Sequence, residues 1–252
     1  MTLMPVRARG ACVAFVMLAV CATSLSARRP SPLDTPVEGP FRLIGPRVRQ
    51  DCTSWWPTAE QFAQKVHVRV GFETTPQCWL GGGGAHPFAP TLTFDGLSPR
   101  EALDRLMEMR PEFAWREVDG VVVIRPVPAW MATGHVLQTR VGPFVVEGVH
   151  PHHALHTMLD SAQPSLLWPH TDLSLSSLGR RLFDPAATGL IDEPVTVRFT
   201  GGTVLQALNA VTEPFGGIWQ IGYSGSFMHI VLSAPDSREG VTHIPVRISA
   251  GR

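Results

Sequence analysis

The chain carries one pattern twice, and that repetition limits its fold more than any other feature. Residues 90–127 read PTLTFDGLSPREALDRLMEMRPEFAWREVDGVVVIRPV. Leu92 and Phe94 alternate with Thr91 and Thr93, the period of a half-buried strand. Gly96 ends that strand. Ser98, Pro99 and Glu101 have the spacing of a capping box with proline at the first helical position. Leu103, Leu106 and Met107 recur at helical spacing, and Pro111 stops the helix. Phe113–Val118 and Val121–Ile124 flank Asp119-Gly120, a two-residue hairpin signal.

The pattern returns in 194–233, PVTVRFTGGTVLQALNAVTEPFGGIWQIGYSGSFMHIVLS. Gly201 matches Gly96, Ala207-Leu208 matches Ala102-Leu103, and Pro214 answers Pro111. Ser224-Gly225 takes the place of the Asp119-Gly120 turn. A shorter echo in 145–159 sets Gly148, Pro151 and Ala154-Leu155 at the same offsets. Repeats of this kind fix the architecture first.

The N-terminus reads as an export signal. Arg7 and Arg9 precede an apolar run from Ala11 to Ala22, too short to span a bilayer, and small residues follow through Ala27. Residues 1–27 are therefore expected to be a signal peptide, and the mature chain to be periplasmic or secreted. Leu18-Ala19-Val20-Cys21 is similar to a lipobox but has Val20 where a small residue is wanted. A lipoprotein anchored to the outer membrane through Cys21 is the alternative. No later stretch is apolar enough to predict a transmembrane segment.

Of the 252 residues, 44% are hydrophobic and 17% charged, enough for one or two small cores. The formal net charge is +0, which argues against a nucleic-acid footprint. Export and an even pair of remaining cysteines predict a disulfide between Cys52 and Cys78.

In chain order, the proline-rich stretch 28–47 reads as a tether, with Phe41–Ile44 offering a short strand. A first module spans 48–127. Its opening helix carries Ala59, Phe62, Ala63 and Val66 on one stripe, with Thr58 as the expected cap, and Val68–Phe72 follows as a strand. Gly81–Gly84 lack the lysine and hydroxyl residue of a phosphate loop. Residues 128–142 form a linker. A second module spans 143–234, with a strand at Phe144–Val146, a helix from Pro151 to Ala162, a strand at Ser165–Trp168 and an insertion over 171–193. The tail 235–252 holds an expected edge strand, His243–Ile248. The fold class is α+β: two tandem small modules, each a mixed or antiparallel sheet packed against two helices.

The strand, glycine, capped Ala-Leu helix and hairpin over Thr91–Ile124 and Thr196–Val231 resemble the STN domain, the short N-terminal domain shared by secretins and TonB-dependent receptors. The helices at Thr58–Val66 and Pro151–Ala162 match that family's first helix. The resemblance implies a periplasmic module that contacts envelope proteins, such as a secretin subunit, a receptor or a signalling component, and a possible homo-oligomer. It supplies no catalytic residues. No barrel or secretin core follows before Arg252, so the expectation is a module acting without one.

Catalytic motifs are lacking. Gly222-Tyr223-Ser224-Gly225 is followed by Ser226 and is not a nucleophile elbow. The cysteines lack disulfide-exchange spacing. His150, His152, His153 and His156 form a cluster in which His152 and His156 have metal-ligand spacing. Without an accompanying acid they read as a solvated face. No enzyme, cofactor or metal is expected. The alternative from another class is a secreted ligand carrier or hydrolase with a site between the modules.

Overall fold

The computed structural model describes residues 31–49, 52–75, 90–166, 194–224, 227–233 and 242–247. Residues 1–27, expected as a signal peptide, Cys78, Gly81–Gly84 and the insertion 171–193 lie outside them, as does the side chain of Cys52.

Strand, capped helix and hairpin recur in both halves. The first half runs through β1 (Arg42–Ile44), β2 (Arg47–Arg49), β3 (Cys52–Ser54), α1 (Trp56–Val66), β4 (Arg69–Glu73), β5 (Thr91–Thr93), α2 (Pro99–Met109), β6 (Phe113–Val118) and β7 (Val121–Pro126). A connector holds α3 (Val127–Met131), a 3-10 turn at Val136–Gln138 and β8 (Arg140–Val141). The second half contains β9 (Phe144–Val149), α4 (Pro151–Asp160), β10 (Ala162–Gln163), β11 (Val195–Phe199), β12 (Gly202–Thr203), α5 (Val204–Thr212), β13 (Ile218–Ser224) and β14 (Phe227–Ser233). Then comes β15 (Thr242–Arg247). The fold class is α+β.

Local chemistry sets the recurring parts. The Ser98 hydroxyl accepts from the Glu101 N–H and the Glu101 carboxylate accepts from the Ser98 N–H, a complete capping box. Thr203 and Gln206 repeat it on α5. Gly96 and Gly201, which follow β5 and β11, and Gly148, near the end of β9, all have positive φ. At Asp119-Gly120 both residues do, as a tight hairpin turn of the twisted kind requires. The opening strand of each half pairs antiparallel with the strand before the capped helix: β1 with β5, and β9 with β11.

The halves then merge. A six-stranded sheet runs β15-β14-β13-β4-β7-β6. β4 lies between β7 and β13 and is parallel to both. Alternate residues of β7 serve two cores: Val122 and Ile124 pack with α1 and α2, whereas Val121 and Val123 pack with α4 and α5. A strand buried on both faces reads as a continuous apolar run, as Val121–Ile124 does. From Ser31 onward the chain clusters as one compact unit.

Several boundaries move. α1 begins two residues before Thr58, which is no cap; its hydroxyl donates to the Ile44 carbonyl at 2.7 Å. The stretch expected as a tether contributes Leu33, Phe41 and Leu43 to the first core, all at most 2% exposed. Of the strand expected at Ser165–Trp168, Ser165 and Leu166 are not in a strand and the remaining two residues lie outside the described ones; Ala162–Gln163 pairs instead, with β8. The C-terminal edge strand forms, one residue earlier than expected. No helix among the described residues is long and apolar enough to cross a membrane.

Candidate functional site

β4, β7 and β13 run in one direction, so their C-terminal ends meet at one edge of the sheet. Each supplies a polar side chain there, on the face toward α4 and α5: Glu73, Arg125 and Tyr223. The connector adds His135. Arg125 Nε donates to Glu73 Oε2 at 2.6 Å. His135 Nε2 lies 2.8 Å from Glu73 Oε1, and the Tyr223 hydroxyl donates to the same oxygen. His135 Nδ1 faces Arg125 Nη2 at 2.8 Å and accepts from the Leu137 N–H at 3.1 Å. Both neighbours of Nδ1 are donors, so the ring proton belongs on Nε2 and points at the carboxylate.

The cluster is closed. Arg125 and Glu73 are 0% and 2% exposed, and His135 is 14% exposed. Burial alone raises the Glu73 pKa; contact with His135, the charge of Arg125 and the Tyr223 hydroxyl outweigh it and hold the group below the ordinary carboxylate value. Burial and the adjacent carboxylate push the Tyr223 phenol far upward, so it stays a donor. Arg125 Nη1 is buried without a hydrogen-bond partner among the described residues. The Trp130 ring lies against two guanidiniums, 4.8 Å from Arg125 and 4.5 Å from Arg116, and its indole N–H donates to the Ala114 carbonyl at 3.0 Å.

Sequence reasoning singled out none of Glu73, Arg125, His135 and Tyr223 as a site. They lie up to 150 positions apart. The available signal was a charged residue directly after a buried apolar stretch, at Glu73 after Val70–Phe72 and again at Arg125 after Val121–Ile124. Tyr223 is also the sole tyrosine.

The histidine cluster lies elsewhere, on α4. His150 is its N-cap, with Nδ1 accepting from the His152 N–H at 3.2 Å. The His152 and His156 rings meet edge to face with centroids 4.6 Å apart. They are half-buried, not solvated as expected; only His153 is exposed. Burial, then the neighbouring histidines, lowers the His152 pKa to about 4, and burial also lowers that of His156. Among the described residues, no three His, Cys, Asp or Glu side chains are grouped to hold a metal. Trp55 is fully buried against Phe113, with ring centroids 5.3 Å apart. A cleft of about 200 Å³ at the far end of β4, lined by Leu33, His67, Arg69 and Glu117 among others, is remote from the Glu73 cluster.

The fold and the cluster together define an α+β protein of two related halves pinned through a shared sheet. No protein-family model matches the chain, and no curated protein or solved structure is significantly similar to it.

Proposed function

We infer that the protein is an exported, non-enzymatic module of the cell envelope that binds other proteins, periplasmic or secreted, and accessory to a secretin or TonB-dependent system. The observation that carries this reading is where the recurring residues go. Ala102, Ala154 and Ala207 are 0% exposed, and Leu103, Leu155 and Leu208 are at most 1% exposed. The repeated glycines serve turns. What recurs builds the core, and the surfaces of the two halves are left free to differ, as suits contact with different partners.

The polar cluster favours the same conclusion over a hydrolase or carrier between the halves. Residues from both halves do converge there. Yet His135 receives two donors on Nδ1 and gives its Nε2 proton to Glu73, so neither nitrogen is left to exchange a proton with a substrate. The four side chains bond to one another and join the first half, the connector and the second half.

The test is affinity capture from envelope extract combined with sedimentation of the purified chain. A stoichiometric envelope partner, or a defined homo-oligomer, is expected. A strictly monomeric chain that captures nothing counts against the reading.

A further inference from the structure

The internal repeat assigns a partner to one strand edge. β13 is the counterpart of β6: each follows a capped helix and opens a hairpin. The last pairs of the two hairpins, Val118 with Val121 and Ser224 with Phe227, hold the same place and are hydrogen-bonded pairs. Alternate residues therefore turn their backbone groups outward. In β13 these include Trp219 and Ile221, and they are met by β4 in parallel; the Thr74 N–H donates to the Ile221 carbonyl at 2.8 Å. In β6 they are Phe113, Trp115 and Glu117. Phe113 spends its N–H on Arg110 at 3.0 Å. Trp115 and Glu117 face outward with no strand beside them among the described residues.

The two ends of the sheet differ. At the other end, the same alternation turns Pro245, opposite His229, away from β14. Proline has no N–H to offer a further strand, so that edge is guarded. β6 has no proline. It has Arg116, exposed and held on the Trp130 ring at 4.5 Å, with no carboxylate partner among the described residues. Trp130 is itself fixed by its bond to Ala114. The result is a pre-oriented cation beside two open backbone positions.

We propose that the outer edge of β6 takes up an extended segment of a partner protein, added in parallel as β4 is added to β13, with a carboxylate of that segment paired to Arg116. This deepens the partner-binding reading and rests on it. Main-chain hydrogen bonds provide the affinity, and the Arg116 contact selects acidic segments.

The probe is a synthetic peptide copying Val68–Thr74, the stretch that already pairs this way with β13, with Thr74→Glu to set a carboxylate beside Arg116. Titrated into the purified, isotope-labelled full chain, it is expected to shift the amide signals of Trp115 and Glu117 and to saturate. A peptide carrying Phe72→Pro, which removes an N–H that faces the partner strand in the β4–β13 pairing, is expected not to bind. Arg116→Gln in the protein, or restoring Thr74 in the peptide, is expected to weaken binding about three- to fivefold, as for a partly exposed ion pair. Glu117→Pro removes an N–H that faces away from β7, so the chain should keep its circular dichroism and melting transition while losing the peptide. Absence of binding, shifts centred on β15, or full binding by a folded Glu117→Pro chain overturns the proposal. Envelope capture separates the two readings. A partner retained equally by the Glu117→Pro chain removes the β6 site and leaves the partner-binding function standing. A wild-type chain that captures nothing removes the function itself.

Discussion

Gly71 makes the room that the Trp219 indole fills. A Cβ at Gly71 would come within 2.0 Å of Trp219 Cε2. The two residues are paired across the β4–β13 junction, one from each half. The indole N–H donates to Asn209 Oδ1 at 2.8 Å, and the Asn209 amide donates to the Val118 carbonyl at 3.0 Å. A buried tryptophan, a glycine and an asparagine thus fasten the second half to the first.

Gly71→Ala is expected to destabilise the protein by about 3 kcal/mol or more, because Trp219 is fully buried and a rigid ring cannot yield cheaply. Chemical denaturation measures it. Trp219→Phe in the same chain should recover part of the loss, since the smaller ring frees space over residue 71.

Leu103 and Leu208 hold equivalent places in the two repeats and are 1% and 0% exposed. Replacing either with alanine should cost about 2–5 kcal/mol. Because the halves share a sheet, each substitution should move one common unfolding transition. Two separate transitions, only one of them shifted by Leu103→Ala, would show that the halves unfold independently.

Glu73→Gln leaves Arg125 buried beside a neutral amide. Breaking a buried pair from one side typically costs about 3–5 kcal/mol. Tyr223→Phe removes only one donor from Glu73 and should cost about 1–2 kcal/mol. Denaturation midpoints of the two variants should fall in that order.

Acid should weaken the fold in two stages. His152 is held to about 4 in the folded state against an ordinary 6.5, and His156 is lowered as well. Below the ordinary value the unfolded chain binds protons that the folded chain refuses, so stability falls as pH drops from about 6.5 toward about 4. Glu73 is also lowered. Its contribution is present above the ordinary carboxylate value and is lost as pH falls below it, through its folded pKa. Melting temperatures against pH should show both limbs. His152→Gln with His156→Gln should flatten the upper limb and leave the lower one.

Ser98→Ala removes half of the α2 capping box and should cost about 1 kcal/mol; Thr203→Ala should do the same at α5. Equal losses would confirm by measurement that the two helix starts are equivalent.

What the sequence determined by itself is local. Period, caps, glycines and the Asp119-Gly120 turn each act within a few residues, so strand, capped helix and hairpin were legible in both copies, along with the core residues Leu103, Leu106, Leu155 and Leu208. Thr58 misled because a threonine before an apolar stripe is a capping signal only if its hydroxyl is not taken by another strand, and here Ile44 takes it. Proline content made 28–47 read as a tether, whereas Phe41 and Leu43 were wanted by a core built from residues far along the chain.

Only the tertiary structure decided how the copies join. Two repeats with the same pattern can stand apart or share a sheet, and nothing within either repeat distinguishes these outcomes. The choice rests on β4 pairing with β13 across nearly 150 positions, on the space Gly71 leaves for Trp219, and on Glu73, Arg125, His135 and Tyr223 meeting where three parallel strands end. Strand pairing across so long a separation depends on the fit of surfaces that exist only once each half has folded, and so it leaves no periodic trace in the chain.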